Sequence, residues 1–108
     1  MENITTTSAY ELVEKIKKGE ISSVEVCQAY LERIKKFDKD VKAWAFFDKK
    51  LLLEKAKEKD EYRKSGKPLR ALHGLPIAVK DIIGTLDMPT ECGTVLKKKM
   101  SSSQDSEI

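Results

Sequence analysis

The chain has 108 residues, enough for one domain and too few for two of ordinary size. Charged residues make up 36% of it, but 21 Lys and Arg face 18 Asp and Glu, and the net charge of +3 argues against a dedicated nucleic-acid binder with a one-sided basic excess. No run reaches the 18 or so apolar residues of a spanning helix, and the 40% hydrophobic content recurs at helical spacing, which argues against disorder.

The N-terminus, MENITTTSAY, has an early acid and no apolar core, so it does not read as a signal peptide. Ser8 followed by Glu11 is a capping box, in which each side chain satisfies the other residue's free backbone N–H. Leu12, Val13 and Ile16 give the first helix one apolar face, and Gly19 stops it. Ser22 and Glu25 repeat the capping signal. Val24, Cys27, Leu31 and Ile34 then form a second stripe that Phe37 extends. Asp38 and Asp40 mark a turn, and segment 41–47, with Trp44 and Phe46, suits a short strand or a buried connection. Asp48 caps a third helix that runs to about Ser65 before Gly66; its charged composition after Ala56 predicts an exposed far end. The chain is therefore read as mainly helical over 1–66, with strand and loops over 67–108.

The second half changes character. His73, Gly74, Leu75 and Pro76 form a turn, and Ile77, Ala78 and Val79 a continuous apolar run, as in a strand covered on both faces. Gly84 and Pro89 imply an irregular loop, and the tail from Lys97 to Ile108 has no periodicity. Lys97, Lys98 and Lys99 read as a solvated loop.

Lys80 lies within the apolar run, between Val79 and Ile82. A lysine in water keeps its proton at neutral pH, since its ordinary pKa is about 10.4. On a covered sheet face it must be paired, hydrated or deprotonated. Deep burial lowers a lysine's pKa by up to about 3 to 5, and a neutral amine can take a proton from a hydroxyl as a general base. The competing reading is that Lys80 ends the strand, reaches water and pairs with an acid such as Asp81.

The other reactive residue types carry weaker signals. His73, the single histidine, has no serine or acid at a recognised spacing and reads as a ring packed beside a turn. Cys27 falls on the helix stripe and reads as core; Cys92 lies in a loop beside Glu91. The two cysteines form no CxxC pair, so neither a disulfide scaffold nor a zinc site follows, and a reducing cytoplasmic setting is expected.

Segment 72–94, LHGLPIAVKDIIGTLDMPTECGT, resembles the N-terminal region of the amidase signature family. The match runs through Leu72, Gly74, Leu75 and Pro76, then Lys80 and Asp81, then Thr90, Gly93 and Thr94, and the two upstream helices look like the family's leading pair. The resemblance implies an α/β fold: N-terminal helices and the first, lysine-bearing strand of a mixed sheet covered by helices. This chain would be the N-terminal fragment, 1–108, of a single amidase domain completed on the same or a separate chain. The resemblance also implies a serine nucleophile, a second serine held by a cis peptide bond that relays the proton, and a lysine that receives it. Lys80 matches that lysine and is the catalytic residue expected here. Both serines belong to a Gly/Ser-rich signature downstream, and Ser101, Ser102 and Ser103 lack its glycines. The fragment alone is expected to be inactive. The resemblance implies a small-molecule amide substrate and no cofactor, metal or membrane. The run DMPTECGT leans toward the small-molecule amidases, because the family's tRNA-dependent amidotransferase A subunits more often read Thr-Thr-Ala-Gly-Ser here. That glutaminase, with nucleic acid as a partner, is the enzymatic alternative, and a non-catalytic helical binding module is the other.

Overall fold

The computed structural model describes residues 3–98 and 100–107. The expectations for Lys99 and Ile108 lie outside the described residues. A 3-10 turn (Ile4–Thr6) precedes three helices: α1 (Ala9–Lys18), α2 (Ser23–Val41) and α3 (Lys49–Lys64). The remainder is loop with a second 3-10 turn, Val95–Lys97. Two compact units are present: the chain up to Ala43 with Asp48–Pro76, and Trp44–Phe47 with the chain from Ile77 onward.

Local chemistry explains both ends of α1. The Ser8 hydroxyl accepts the Glu11 N–H at 3.2 Å, and the Glu11 carboxylate accepts the Ser8 N–H at 3.3 Å. Gly19, at φ 76°, closes the helix by donating to the Ile16 and Lys15 carbonyls. Leu12 and Ile16 from α1 meet Val26 from α2 in a buried cluster, with Ile4, Ile21, Tyr30 and Leu75 packed around it.

The start of α2 is buried, so its free N–H groups need partners inside the protein. Ser23 is only 2% exposed. Asp60, from the last third of α3, accepts the N–H groups of Ser23 at 2.7 Å and Val24 at 3.1 Å. The Ser22 hydroxyl accepts the third, from Glu25, at 3.0 Å. The Ser23 hydroxyl donates to the Gly74 carbonyl at 2.6 Å. A Cβ on Gly74, which sits at φ 78°, would come within 3.0 Å of Ile16 and 3.3 Å of Ser23, so that position requires glycine for both conformation and space.

Three expectations are corrected here. Helix α2 does not turn at Asp38 but continues to Val41: the Asp38 carbonyl accepts the Lys42 N–H at 2.7 Å and its carboxylate the Ala43 N–H at 2.8 Å, so the acid closes the helix rather than breaking it. The apolar stripe of α2 is centred differently: Val26 is the fully buried core residue, whereas Phe37, expected to extend the stripe, is 43% exposed, because the side of the helix turn that meets α1 carries Val26 and the last turns of α2 run on past that contact. The α/β reading is not met by the described residues: segments 41–47 and 77–83 form no strand, and the isolated bridge between Pro89 and Ser101 is the described β pairing. An apolar run becomes a strand only when a neighbour pairs its backbone. Without one, Ile77 is 69% exposed, and Trp44 and Phe46 are exposed as well. No described helix is long and apolar enough to cross a membrane.

Asp60→Ala is expected to lower unfolding stability by about 2–4 kcal/mol, since two N–H groups lose a charged acceptor at a buried helix start. Asp60→Asn, which keeps one acceptor oxygen, falls between it and the parent chain in urea unfolding. Bonds from the Ser22 backbone N–H, then from its hydroxyl, hold the Glu25 carboxyl below its ordinary pKa of 4.5. Its folded value lies below the unfolded one, so this contribution is present above pH 4.5 and lost as pH falls through the folded value. Glu25→Gln is therefore expected to flatten the acid limb of stability against pH below that point.

Candidate functional site

The matched residues from Lys80 to Thr94 lie in the second unit, where two turns are held together. In the first, the Ile83 N–H donates to the Lys80 carbonyl at 3.0 Å. In the second, the Thr94 N–H donates to the Glu91 carbonyl at 3.1 Å, with Cys92 at φ 52° and Gly93 at φ 70°. Positive φ at both central residues is the pattern of a type I′ turn, which suits glycine and strains cysteine.

Three hydrogen bonds join the turns. The Asp81 carboxylate accepts the Glu91 N–H at 2.8 Å. The Asp81 carbonyl accepts the Cys92 N–H at 2.9 Å. The Thr90 hydroxyl donates to the Ile83 carbonyl at 3.3 Å. Further along, the Thr90 N–H meets the Met100 carbonyl at 2.7 Å, and the Asp105 carboxylate accepts the Leu86 N–H at 2.8 Å. These bonds substitute for a sheet in fixing the loops.

Lys80 itself is exposed. The described residues around it do not provide the removal from water that makes a lysine a base. Of the matched motif, the structure brings Lys80, Asp81, Gly93 and Thr94 into these two joined turns, with Thr90 bonded to the first of them. Gly74 and Leu75 lie in the first unit, packed against α1 and α2. Sequence reasoning missed the part played by Asp81. Its signal is present in the Lys-Asp pair, but an acid bonded at two points to a loop ten residues on leaves no periodic trace.

The remaining candidates are placed apart from catalysis. His73 is buried, its Nε2 2.8 Å from the Lys59 carbonyl, which accepts the ring N–H, and its ring lies beside that of Tyr62. Cys27 is buried, and that burial pushes its thiol up to about 11, against a lowering bond from Ser23 and with a smaller push from the nearby Asp60 charge. Cys92 is exposed, with the Lys97 ammonium donating to its Sγ at 3.9 Å. The Ser102 hydroxyl donates to the Gln104 carbonyl at 2.6 Å, and Ser101 bridges to Pro89. A groove of about 330 Å³ lined by Gln28, Leu31, Glu32, Lys49 and Leu53 contains none of the residues that carry the motif. No group of three His, Cys, Asp or Glu side chains among the described residues is placed to hold a metal ion.

Comparison with known proteins agrees with the motif. A family model described as Amidase matches residues 25–108. The chain is 39% identical over 108 residues to the glutamyl-tRNA(Gln) amidotransferase A subunit of Salinispora tropica, covering 100% of this chain and 22% of that protein. It is 38% identical over 102 residues to the protein of the same name from Leptospira interrogans, covering 94% of this chain and 21% of the relative. With that of Rhodococcus erythropolis it shares 44% over 95 residues, covering 87% and 19%. The chain thus spans about a fifth of the length of these relatives. A solved structure, described as a vestigial protein complex that reveals the evolutionary origins of an s-triazine catabolic enzyme, superposes with a TM-score of 0.83 at 26% identity, covering 93% of this chain and 22% of that one.

The two thiols should separate cleanly in the folded chain. Cys92 is expected to react with a disulfide reagent within the mixing time of a manual assay, and Cys27 only as the protein unfolds. Simultaneous reaction of both in native buffer would contradict the buried position of Cys27.

Proposed function

The chain belongs to the amidase family, and we propose that it is the N-terminal, lysine-bearing part of the glutaminase component of a tRNA-dependent amidotransferase. The observation that carries this reading is the identity of 39% across all 108 residues with a protein of that name, against 26% with the s-triazine-related structure. The lean toward a small-molecule amidase, taken from the run DMPTECGT, is therefore reversed. The departure of Glu91 and Cys92 from the Thr-Thr-Ala-Gly-Ser pattern still favours the small-molecule amidase as the second reading.

In the proposed mechanism Lys80 is the terminal base. A serine supplied by the rest of the domain attacks the amide carbonyl of the substrate. Its proton passes through a second serine to the neutral Nζ of Lys80, and returns to the leaving amine as the carbon–nitrogen bond breaks. Water or an amine then resolves the acyl-enzyme. For Lys80 to be neutral it must be covered, and the covering surface comes from sequence outside these 108 residues. In the same reading the run 77–79, which leads into the Lys80–Ile83 turn, pairs with neighbouring strands there, which supplies the α/β sheet that the described residues lack, and the first 108 residues form one domain with it. The exposed Ile77 supports this, since an apolar side chain left in water is one that a covering surface would bury.

Kinetics of the complete enzyme test both parts. Lys80→Ala and Lys80→Met are expected to reduce ammonia release by about a thousandfold, the scale of losing one acid–base group, while the folded yield stays unchanged. Full activity in Lys80→Met would exclude the lysine as base. Glutamine hydrolysis that rises only with the other subunits and charged tRNA supports the amidotransferase reading. Turnover of simple amides at the same rate without those additions would select the small-molecule amidase.

A further inference from the structure

We propose that Asp81 is a positioning residue: it clamps the strained 91–94 turn onto the turn that carries Lys80. The inference rests on the reading of Lys80 as the base and adds a residue to it. The geometry is specific. Asp81 uses two different acceptors on two successive N–H groups, its carboxylate for Glu91 at 2.8 Å and its carbonyl for Cys92 at 2.9 Å. Those two groups open a turn whose central residues are a cysteine at φ 52° and Gly93 at φ 70°. A non-glycine residue in the left-handed region costs free energy and persists only where its surroundings hold it. Asp81 holds the backbone at the entry to that strain, and it is covalently next to Lys80.

Two properties of Asp81 bear on the site, its charge beside the lysine and its acceptor geometry. The hydrogen bonds assign the role to geometry, because the carboxylate is engaged with the Glu91 N–H. Three substitutions in the complete enzyme separate the two. Asp81→Asn loses the charge and keeps a carbonyl acceptor, and kcat is expected to stay within about fivefold of the parent. Asp81→Ala loses the acceptor, and kcat is expected to fall by about 100-fold with KM little changed, the scale of a misplacement near 1 Å. Asp81→Glu keeps the charge and displaces the acceptor by one methylene, so it should lose kcat as well. The strain supplies a fourth measurement. Cys92→Gly removes the cost of positive φ and leaves the backbone bond to the Asp81 carbonyl in place, so Asp81→Ala/Cys92→Gly should regain about tenfold in kcat over Asp81→Ala.

Equal losses in Asp81→Asn and Asp81→Ala would assign the effect to charge and overturn the clamp. So would parent-like kcat in Asp81→Glu or Asp81→Ala, or no recovery in the double variant. Lys80→Met, assayed alongside, keeps the two ideas apart. An inactive Lys80→Met with a fully active Asp81→Ala refutes the clamp alone, whereas a fully active Lys80→Met refutes the lysine reading beneath it.

Discussion

The first unit depends on how a buried helix start is satisfied. Helix α2 enters the core at Ser23, where water cannot reach its free N–H groups. Asp60 answers two of them from α3, and the Ser23 hydroxyl reaches on to the Gly74 carbonyl. One acid and one serine thus fasten three pieces of chain at a single point. The negative carboxylate also lies at the positive end of the α2 dipole, where a charge is favoured. The apolar cluster of Leu12, Ile16 and Val26 supplies burial, but it is non-directional. The register of α3 and of the 73–75 turn against α2 follows from these bonds and from the absent Cβ of Gly74.

The second unit solves a different problem with other means. It has little core: Ile77, Ile82, Leu86, Val95 and Leu96 are all exposed. Its loops are tied instead by backbone groups and short acids, with Asp81 and Asp105 each accepting a distant N–H. Such ties fix the path of the chain but do not remove a side chain from water. The loop architecture that gathers the amidase motif is therefore present in these residues, while the dry surroundings that the proposed chemistry requires are not. The proposed mechanism places its serines, and with them those surroundings, in another part of the domain.

Legibility followed the range of the interaction. Both capping boxes, the Asp48 cap, the Gly19 stop and the buried face of α1 depend on residues within a turn of each other, so spacing alone reveals them. The buried Cys27 follows from the same periodicity. The end of α2 is misplaced by sequence because an acid near a helix end either breaks the helix or closes it, and only the paths of the Lys42 and Ala43 N–H groups decide which. Asp60 is hidden in a run of charges, since composition does not say which member of a polar stretch faces a neighbouring helix. The strand expected around Lys80 requires a partner that periodicity does not contain.

By itself, then, the sequence determined three capped helices, the apolar face of the first and the Lys80–Asp81 motif with its family resemblance. These are local matters of capping, side-chain period and residue identity. Only the tertiary structure decided that Asp60 serves α2, that Gly74 is where the chain passes close to Ile16 and Ser23, and that Asp81 grips the turn containing Cys92. The hydrogen bonds that settle these points join residues 10 to 51 positions apart. Such contacts exist only once the chain has folded back, because their partners share neither a helical period nor a turn.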